Sequence, residues 1–221
     1  MKRKLSKPTE AHDVKVQERG HVPLLEKFIR FCESDFGKRV MGLEAAYLRR
    51  ELSGCTKILD VGCGIGSIEQ RLPELNVTGL DASEEMLIEA RKRSDKAFVK
   101  GEASSLPFAN GSFDAVFMVT TLEFLTDYKK ALDEAARVLT NRGRLIVLML
   151  NPDSGYFKAH FAKEGDYFRN IKHSDYASIA TYASALFYTN TEYFLGVDGE
   201  NASVRGDRGS AALFVIKGRK R

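Results

Sequence analysis

Residues 57–66, with the sequence KILDVGCGIG, decide the fold. Residues 57–61 are a short apolar run that predicts a buried strand, and three glycines at alternate positions follow directly. Glycine allows a sharp turn and a close approach to a ligand, and it leaves backbone N–H groups available where the next helix starts. A strand, a glycine loop and a helix in this order are typical of nucleotide-binding α/β sheets.

The same alternation continues along the chain. Further strands are predicted at residues 77–80, 97–99, 113–119 and 145–150, and helices at 67–72, after Ser83 and at 128–139. Strands that alternate with helices indicate a parallel sheet covered on both faces. Residues 193–197 and 212–216 predict an antiparallel pair at one edge, and residues 21–53 predict two helices separated at Phe36-Gly37.

Two acidic residues follow the next two predicted strands. Asp81 stands 19 residues after Gly62, where a carboxylate can accept both hydroxyls of a ribose. Glu102 follows the third strand, and its carboxylate together with the Ala103 N–H can recognise the amino edge of adenine. Strand ends of this kind converge on one crevice in an open α/β sheet. Asp81 as a mere helix cap and Glu102 as a solvated loop residue remain the alternatives.

Four segments together resemble class I S-adenosylmethionine-dependent methyltransferases. They are residues 58–66 (ILDVGCGIG), 79–87 (GLDASEEML), 101–116 (GEASSLPFANGSFDAV) and 135–145 (AARVLTNRGRL). The similarity covers residues 57–150 and is greatest to the type 11 branch, which includes ubiquinone and menaquinone methyltransferases. It implies a Rossmann-like fold with a seven-stranded, mostly parallel sheet, helices on both faces, an antiparallel edge strand near the C-terminus and a helical N-terminal extension.

The resemblance implies S-adenosylmethionine as the cofactor and a set of residues that bind it. Residues 62–64 would pass beneath its methionine part, Asp81 would hold the ribose, and Ala82 and Met86 would line the adenine. The complete set follows the first four predicted strands or lies at their ends: Asp60, Gly62, Cys63, Gly64, Gly66, Asp81, Ala82, Met86, Glu102, Ala103 and Val119.

The remaining implied roles concern the third and fourth strands. Glu102 would accept from the adenine amino group, the Ala103 N–H would donate, and the Val119 carbonyl would face the methionine amino group. A histidine-containing run follows this strand in the family, whereas TTLEF stands here at residues 120–124. No catalytic residue is therefore assigned.

Two other functions fit part of this pattern. A nicotinamide-dependent dehydrogenase would place the third glycine one residue later and would give Glu102 no role. A protein that binds S-adenosylmethionine as a sensor or scaffold, without turnover, remains the alternative to an active methyltransferase.

The methyl acceptor must be recognised by the variable segments. We expect residues 1–53 to form a tail and helical extension, residues 54–221 the methyltransferase domain, and residues 151–186 a substrate-side insertion. Tyr156, His160, Tyr167, His173 and Glu123 are the candidates there, although each also fits a packing role. The motifs of enzymes that methylate nucleic-acid bases are absent, as is a cluster of metal ligands, so a small molecule is the expected acceptor and no metal is predicted.

Charge and composition agree with this interpretation. Of the 34 basic residues, eight lie within residues 1–7 and 217–221, so the rest of the chain is slightly acidic, which argues against a nucleic-acid partner. The three cysteines form no C-x-x-C pair, and no apolar run follows the basic first residues. We therefore expect a cytoplasmic protein without a membrane span, and partial disorder in residues 1–20. The oligomeric state is left open.

Overall fold

The computed structural model describes residues 24–163 and 167–221. The expectation for residues 1–20, and the basic residues at the start of the chain, lie outside this part. The helices are α1 (Leu24–Glu33), α2 (Asp35–Glu51), α3 (Glu84–Arg93), α4 (Tyr128–Val138), α5 (Gly155–Phe161) and α6 (Tyr176–Leu186). Three short 3-10 turns, η1 to η3, occupy Glu69–Arg71, Leu122–Phe124 and Tyr167–Asn170.

Eight strands form one sheet. They are β1 (Ile58–Val61), β2 (Val77–Asp81), β3 (Ala97–Lys100), β4 (Phe113–Val119), β5 (Leu139–Leu150), β6 (Phe187–Asp198), β7 (Asn201–Ser203) and β8 (Ala211–Lys220). Their order is β3-β2-β1-β4-β5-β8-β6-β7, with β1 to β5 parallel and β8 antiparallel to both of its neighbours.

This order places a topological switch at β1. The chain first builds outward through β2 and β3, and then returns to pair β4 with the other side of β1. Ligands bind at such a switch, outside the carboxyl ends of the strands. The ends of β1, β2 and β4 therefore open on one crevice.

Both faces of the sheet are covered. Because side chains alternate along a strand, Leu59 and Val61 face a cluster that contains α4 and α6, whereas Ile58 faces a second cluster with Leu48 and Leu52 near the end of α2. All five of these side chains are fully buried. Because both faces of the sheet are covered, the crevice lies at the carboxyl ends of the strands and not on a face of the sheet.

The predicted fold class is confirmed, with differences in detail. The sheet has eight strands instead of seven, because the chain turns at Gly199 and adds the short β7 beside β6. The helix expected at 67–72 is only the turn η1, since Pro73 follows immediately. The separation of α1 and α2 at Phe36-Gly37 was also wrong. Ser34 caps α2, and its Oγ accepts the Gly37 N–H at 3.0 Å.

Candidate functional site

The glycine loop turns through conformations that suit glycine. Gly62, Gly64 and Gly66 have φ of 83°, 53° and 72°, in the left-handed region where a side chain is strained. A Cβ at position 62 would also lie 2.5 Å from Thr121 Oγ1. The loop thus passes directly against the segment that follows β4.

The loop is attached to β2 through its own N–H groups. Gly62 and Cys63 donate to the Leu80 carbonyl at 2.7 and 3.0 Å, and the Gly64 N–H donates to Asp81 Oδ2 at 2.9 Å. The expectation that the loop leaves its N–H groups available is therefore wrong at these three positions. Here they stabilise the turn instead of facing a ligand.

Asp81 connects the glycine loop to α3. Its Oδ2 accepts from Gly64, and its Oδ1 accepts the Ser83 N–H at 2.9 Å, while Ser83 Oγ caps the helix through Met86 at 3.2 Å. Each carboxylate oxygen retains a further lone pair. The structural and the ribose-binding roles of Asp81 are thus compatible, and the second stays a prediction.

The loop that carries Glu102 is held by α4. Arg137 donates to the Leu106 and Phe108 carbonyls at 2.9 and 2.8 Å, and Glu134 accepts the Leu106 N–H at 2.7 Å. An Arg–Glu ion pair of 2.7 Å completes this arrangement. The sequence prediction gave Arg137 and Glu134 no role, because nothing in the local pattern shows which loop a helix residue will reach.

The end of β4 carries an unusual backbone conformation. Thr120 has a φ of 46°, rare for a β-branched residue, and its N–H donates to the Leu148 carbonyl at 2.7 Å. The Val119 carbonyl accepts from Thr121 Oγ1 at 3.0 Å. Strained backbone of this kind is often found at functional sites, and Thr120 lies on the wall of the cavity described next.

One cavity of about 690 Å³ lies over these strand ends. Ten of the eleven predicted cofactor-binding residues line it, and Gly66 is the exception. A Cβ on Gly66 would lie 3.1 Å from both Ala90 and Phe98, so this glycine permits α3 and β3 to approach the loop closely. That these residues bind the cofactor remains a prediction.

The other part of the cavity is formed by aromatic side chains. Phe28, Phe36, Tyr156, Tyr167 and Phe168 line it. The ring centroids of Phe124 and Tyr167 are 4.6 Å apart, and those of Phe36 and Tyr156 are 6.0 Å apart. Burial raises the pKa of the Tyr167 hydroxyl to about 12, so this group stays protonated.

The residues predicted to recognise the acceptor do not all lie at the cavity. Tyr156, His160 and Tyr167 line the cavity, whereas His173 packs edge-on against Tyr128 at 4.9 Å. Glu123 lies beneath the cavity wall, where its Oε1 accepts the Leu150 N–H at 2.8 Å. Burial raises the pKa of Glu123 to about 7. Its carbonyl accepts the His173 N–H at 3.1 Å, so Glu123 anchors this segment.

Two buried carboxyl groups lie at the base of the glycine loop. Asp60, at 2% exposed, lines the cavity, and Glu69, fully buried, lies beside it. Burial and their mutual repulsion raise the pKa of Asp60, and burial raises that of Glu69 to about 7. Glu44 of α2, at 5% exposed, is a third such group on the wall. The sequence prediction missed Glu69 and Glu44, since their burial depends on long-range packing.

Comparisons with known proteins agree with this geometry. Residues 59–147 match the family described as a methyltransferase domain. These residues form a methyltransferase domain. S-adenosylmethionine is the cofactor of this family.

Relatives with curated descriptions share only part of their length with the chain. A demethylmenaquinone methyltransferase of Thermotoga maritima is 40% identical over 101 residues, which are 43% of this chain and 44% of that protein. A ubiquinone/menaquinone biosynthesis C-methyltransferase of Cereibacter sphaeroides is 40% identical over 103 residues, 42% and 41% of the two chains. The chain thus spans less than half the length of these relatives.

The methyltransferase fold extends further than the sequence similarity. A S-adenosylmethionine-dependent methyltransferase from Thermotoga maritima, described as a possible histamine N-methyltransferase, superposes with a TM-score of 0.77. It is 25% identical, and the match covers 90% of this chain and 96% of that one. The structural likeness therefore covers far more of the chain than residues 59–147.

The residues of the cavity fit the family's cofactor. A carboxyl at the end of β2 and another after β3 suit a nucleoside, and the buried Asp60, whose Oδ1 has no partner among the described residues, suits a cationic amino group. Among residues 24–163 and 167–221, no group of three or more histidine, cysteine or acidic residues could hold a metal ion. In the same part of the chain, no helix is long and apolar enough to cross a membrane.

Proposed function

We propose that the protein transfers a methyl group from S-adenosylmethionine to a small, largely apolar acceptor. One observation carries this proposal, namely that a single cavity joins the strand ends of the cofactor side to an aromatic chamber. The two parts meet at Thr120, Thr121 and Gly62, where loop and strand end touch. A ligand on each side would bring donor and acceptor together at this point.

The chain's own residues supply binding and alignment. When bound, the cofactor supplies an electrophilic methyl group for in-line displacement. Asp81 and Glu102 hold the nucleoside, and the rings of Phe28, Tyr167 and Phe124 exclude water from the place of transfer. Alignment of two reactants can lower the barrier by roughly 7–11 kcal/mol. This contribution needs no covalent intermediate on the protein.

The chamber favours a small acceptor with an aromatic or apolar body. The ring centroids of Tyr156 and Phe168 lie 4.5 and 5.0 Å from that of His160, so the imidazole packs against both rings, which also contact each other. His160 is placed to receive a proton if the acceptor loses one. The names of the relatives, which refer to quinones and in one case to histamine, support a small-molecule acceptor.

A binding protein without turnover is the second candidate. It is favoured by the side chain of Glu123, which bonds to the Leu150 N–H and does not line the cavity. Incubation of the protein with labelled cofactor and a fractionated cell extract distinguishes an active methyltransferase from a binding protein. A labelled small molecule establishes transfer, and binding without any labelled product supports the second candidate.

The cofactor site is tested by calorimetry with S-adenosylhomocysteine and adenosine monophosphate. The wild type should bind S-adenosylhomocysteine more tightly than adenosine monophosphate. Asp81→Ala should weaken the binding of S-adenosylhomocysteine at least tenfold. Asp114→Ala is the matched control, because Asp114 also accepts backbone N–H groups, from Thr56 and Lys57 at 3.0 Å, but at the other end of the strands. The assignment is wrong if both variants bind like the wild type.

A further inference from the structure

The carboxyl groups of Asp60 and Glu69 form a buried pair without a cationic partner. Asp60 Oδ1 and both side-chain oxygens of Glu69 are buried and have no hydrogen-bond donor among the described residues. Burial and the repulsion between the two ionised groups raise the pKa of Asp60, and burial raises the pKa of Glu69. The pair therefore keeps a proton near neutral pH.

The charged groups around the pair do not replace this proton. Asp81 raises the pKa of both carboxyls, and Lys96 lowers that of Glu69 only in part. The Lys96 ammonium itself donates to the carbonyls of Pro73 and Leu75. Burial raises the pKa of the Cys63 thiol above its ordinary value, and the pair raises it further, so this neighbour stays uncharged.

Two more groups complete the surroundings. Arg71, in the same turn as Glu69, donates to the Ser67 carbonyl at 2.6 Å. Its charge lowers the pKa of Glu44, which burial nevertheless raises to about 8. No ion pair of Asp60 or Glu69 with a described lysine or arginine is present within 4 Å. A cation that enters the cavity can therefore form an ion pair with Asp60 that no described lysine or arginine forms.

We propose that Glu69 makes cofactor binding proton-coupled: the Asp60–Glu69 pair holds one proton in the empty site and releases it when the cofactor's ammonium group binds. The inference rests on the proposed function. Asp60 faces the cavity and contacts the cation, whereas Glu69 acts through Asp60 and is a positioning residue. On binding, the carboxyl O–H bond breaks, the proton passes to the buffer, and the ammonium takes its place beside the carboxylates.

This coupling sets the direction of the pH dependence. Below the pKa of the pair, the proton competes with the ammonium, so affinity rises with pH by up to about tenfold per unit. Above that pKa no proton remains to be displaced, and affinity levels off. Burial raises the pKa of Glu69 to about 7 and that of Asp60 above its ordinary value as well, so we expect affinity to rise from pH 6 upward.

Calorimetry with S-adenosylhomocysteine tests the inference. At pH 6, 7 and 8, in two buffers of different ionisation enthalpy, the wild type should release a proton and bind more tightly as pH rises. In Glu69→Gln the repulsion from the second carboxyl is removed and the amide N–H can donate to Asp60, so less proton should be released and affinity should rise less steeply with pH than in the wild type. Glu44→Gln, which alters another buried carboxyl of the cavity, should keep the wild-type proton release.

The ligand itself provides an independent control. 5′-Methylthioadenosine has the same nucleoside but lacks the amino-acid part, and with it the ammonium group, so its binding to the wild type should release no proton. This comparison decides the question even if Glu69→Gln fails to fold. The proposed function fails if S-adenosylhomocysteine does not bind at any pH. The proton coupling is overturned if S-adenosylhomocysteine binds to the wild type without proton release. It is also overturned if Glu44→Gln removes the proton release and Glu69→Gln does not.

Discussion

A Cβ at position 62 tests how closely the glycine loop is packed against the end of β4. Gly62 has a φ of 83°, and an added Cβ would lie 2.5 Å from Thr121 Oγ1 and 3.0 Å from Thr121 Cβ. The left-handed backbone alone costs an alanine about 1–2 kcal/mol. The overlap adds about 1–3 kcal/mol, because the loop and Thr121 must separate. Gly62→Ala should therefore lower the free energy of unfolding by about 2–5 kcal/mol.

Gly54 offers a matched control. Its φ is 80°, close to that of Gly62, but no heavy atom lies within 4 Å of its added Cβ. Gly54→Ala should therefore cost only the backbone contribution. Urea unfolding of both variants measures the difference, which is the contribution of the overlap. Equal losses for the two variants would refute the close packing.

A double variant locates the overlap. Thr121→Ala removes the Oγ1 and Cγ2 atoms and also the hydrogen bond to the Val119 carbonyl, so alone it should cost about 1 kcal/mol. In its presence, Gly62→Ala should cost at least 1 kcal/mol less than in the wild type. Strict additivity of the two losses would show that Thr121 does not oppose the added Cβ.

Two further predictions concern buried charge and loop support. Because burial raises the pKa of Glu123 from 4.5 to about 7, the folded state keeps a proton that the unfolded chain has lost, and stability falls as pH rises through this window. The free energy of unfolding of Glu123→Gln, measured in urea, should therefore rise relative to that of the wild type by up to about 3 kcal/mol between pH 4.5 and pH 8. A difference between the two proteins that does not change with pH would contradict this prediction. Arg137→Ala removes the bonds to the Leu106 and Phe108 carbonyls, so it should lower the free energy of unfolding by about 1–3 kcal/mol. The loosened Glu102 loop should raise the Kd for S-adenosylhomocysteine severalfold, and an unchanged Kd in calorimetry would show that the loop needs no such support.

Local sequence patterns predicted the elements that form the crevice. A four-residue apolar strand followed by glycines, and acidic residues just after the next strands, are visible within short windows. Parallel strands bring their carboxyl ends to one edge, so the meeting of Asp81 and Glu102 follows from their place at strand ends. The strand count failed at β7, because a three-residue edge strand has no periodicity to recognise.

Roles that depend on distant residues were not predictable. Arg137 lies 31 residues from the Leu106 carbonyl that it binds, and the contact of Gly66 with Ala90 and Phe98 likewise joins segments that are distant in the sequence. Glu44 lies on the same face of α2 as the buried Val40 and Leu48, and only the docking of that helix carries it to the cavity. Such contacts depend on register and helix orientation, which no local window contains.

The sequence by itself determined the order of the elements, the glycine turn and the acidic residues at the strand ends, because each follows from the conformational preferences of neighbouring residues. Only the tertiary structure decided which N–H groups the turn uses internally, that aromatic rings from α1, α5 and η3 enclose one cavity, and that Asp60 lies beside Glu69. The physical reason is burial. The protonation of a carboxyl depends on the water and charges around it, and these are set only when distant segments pack together.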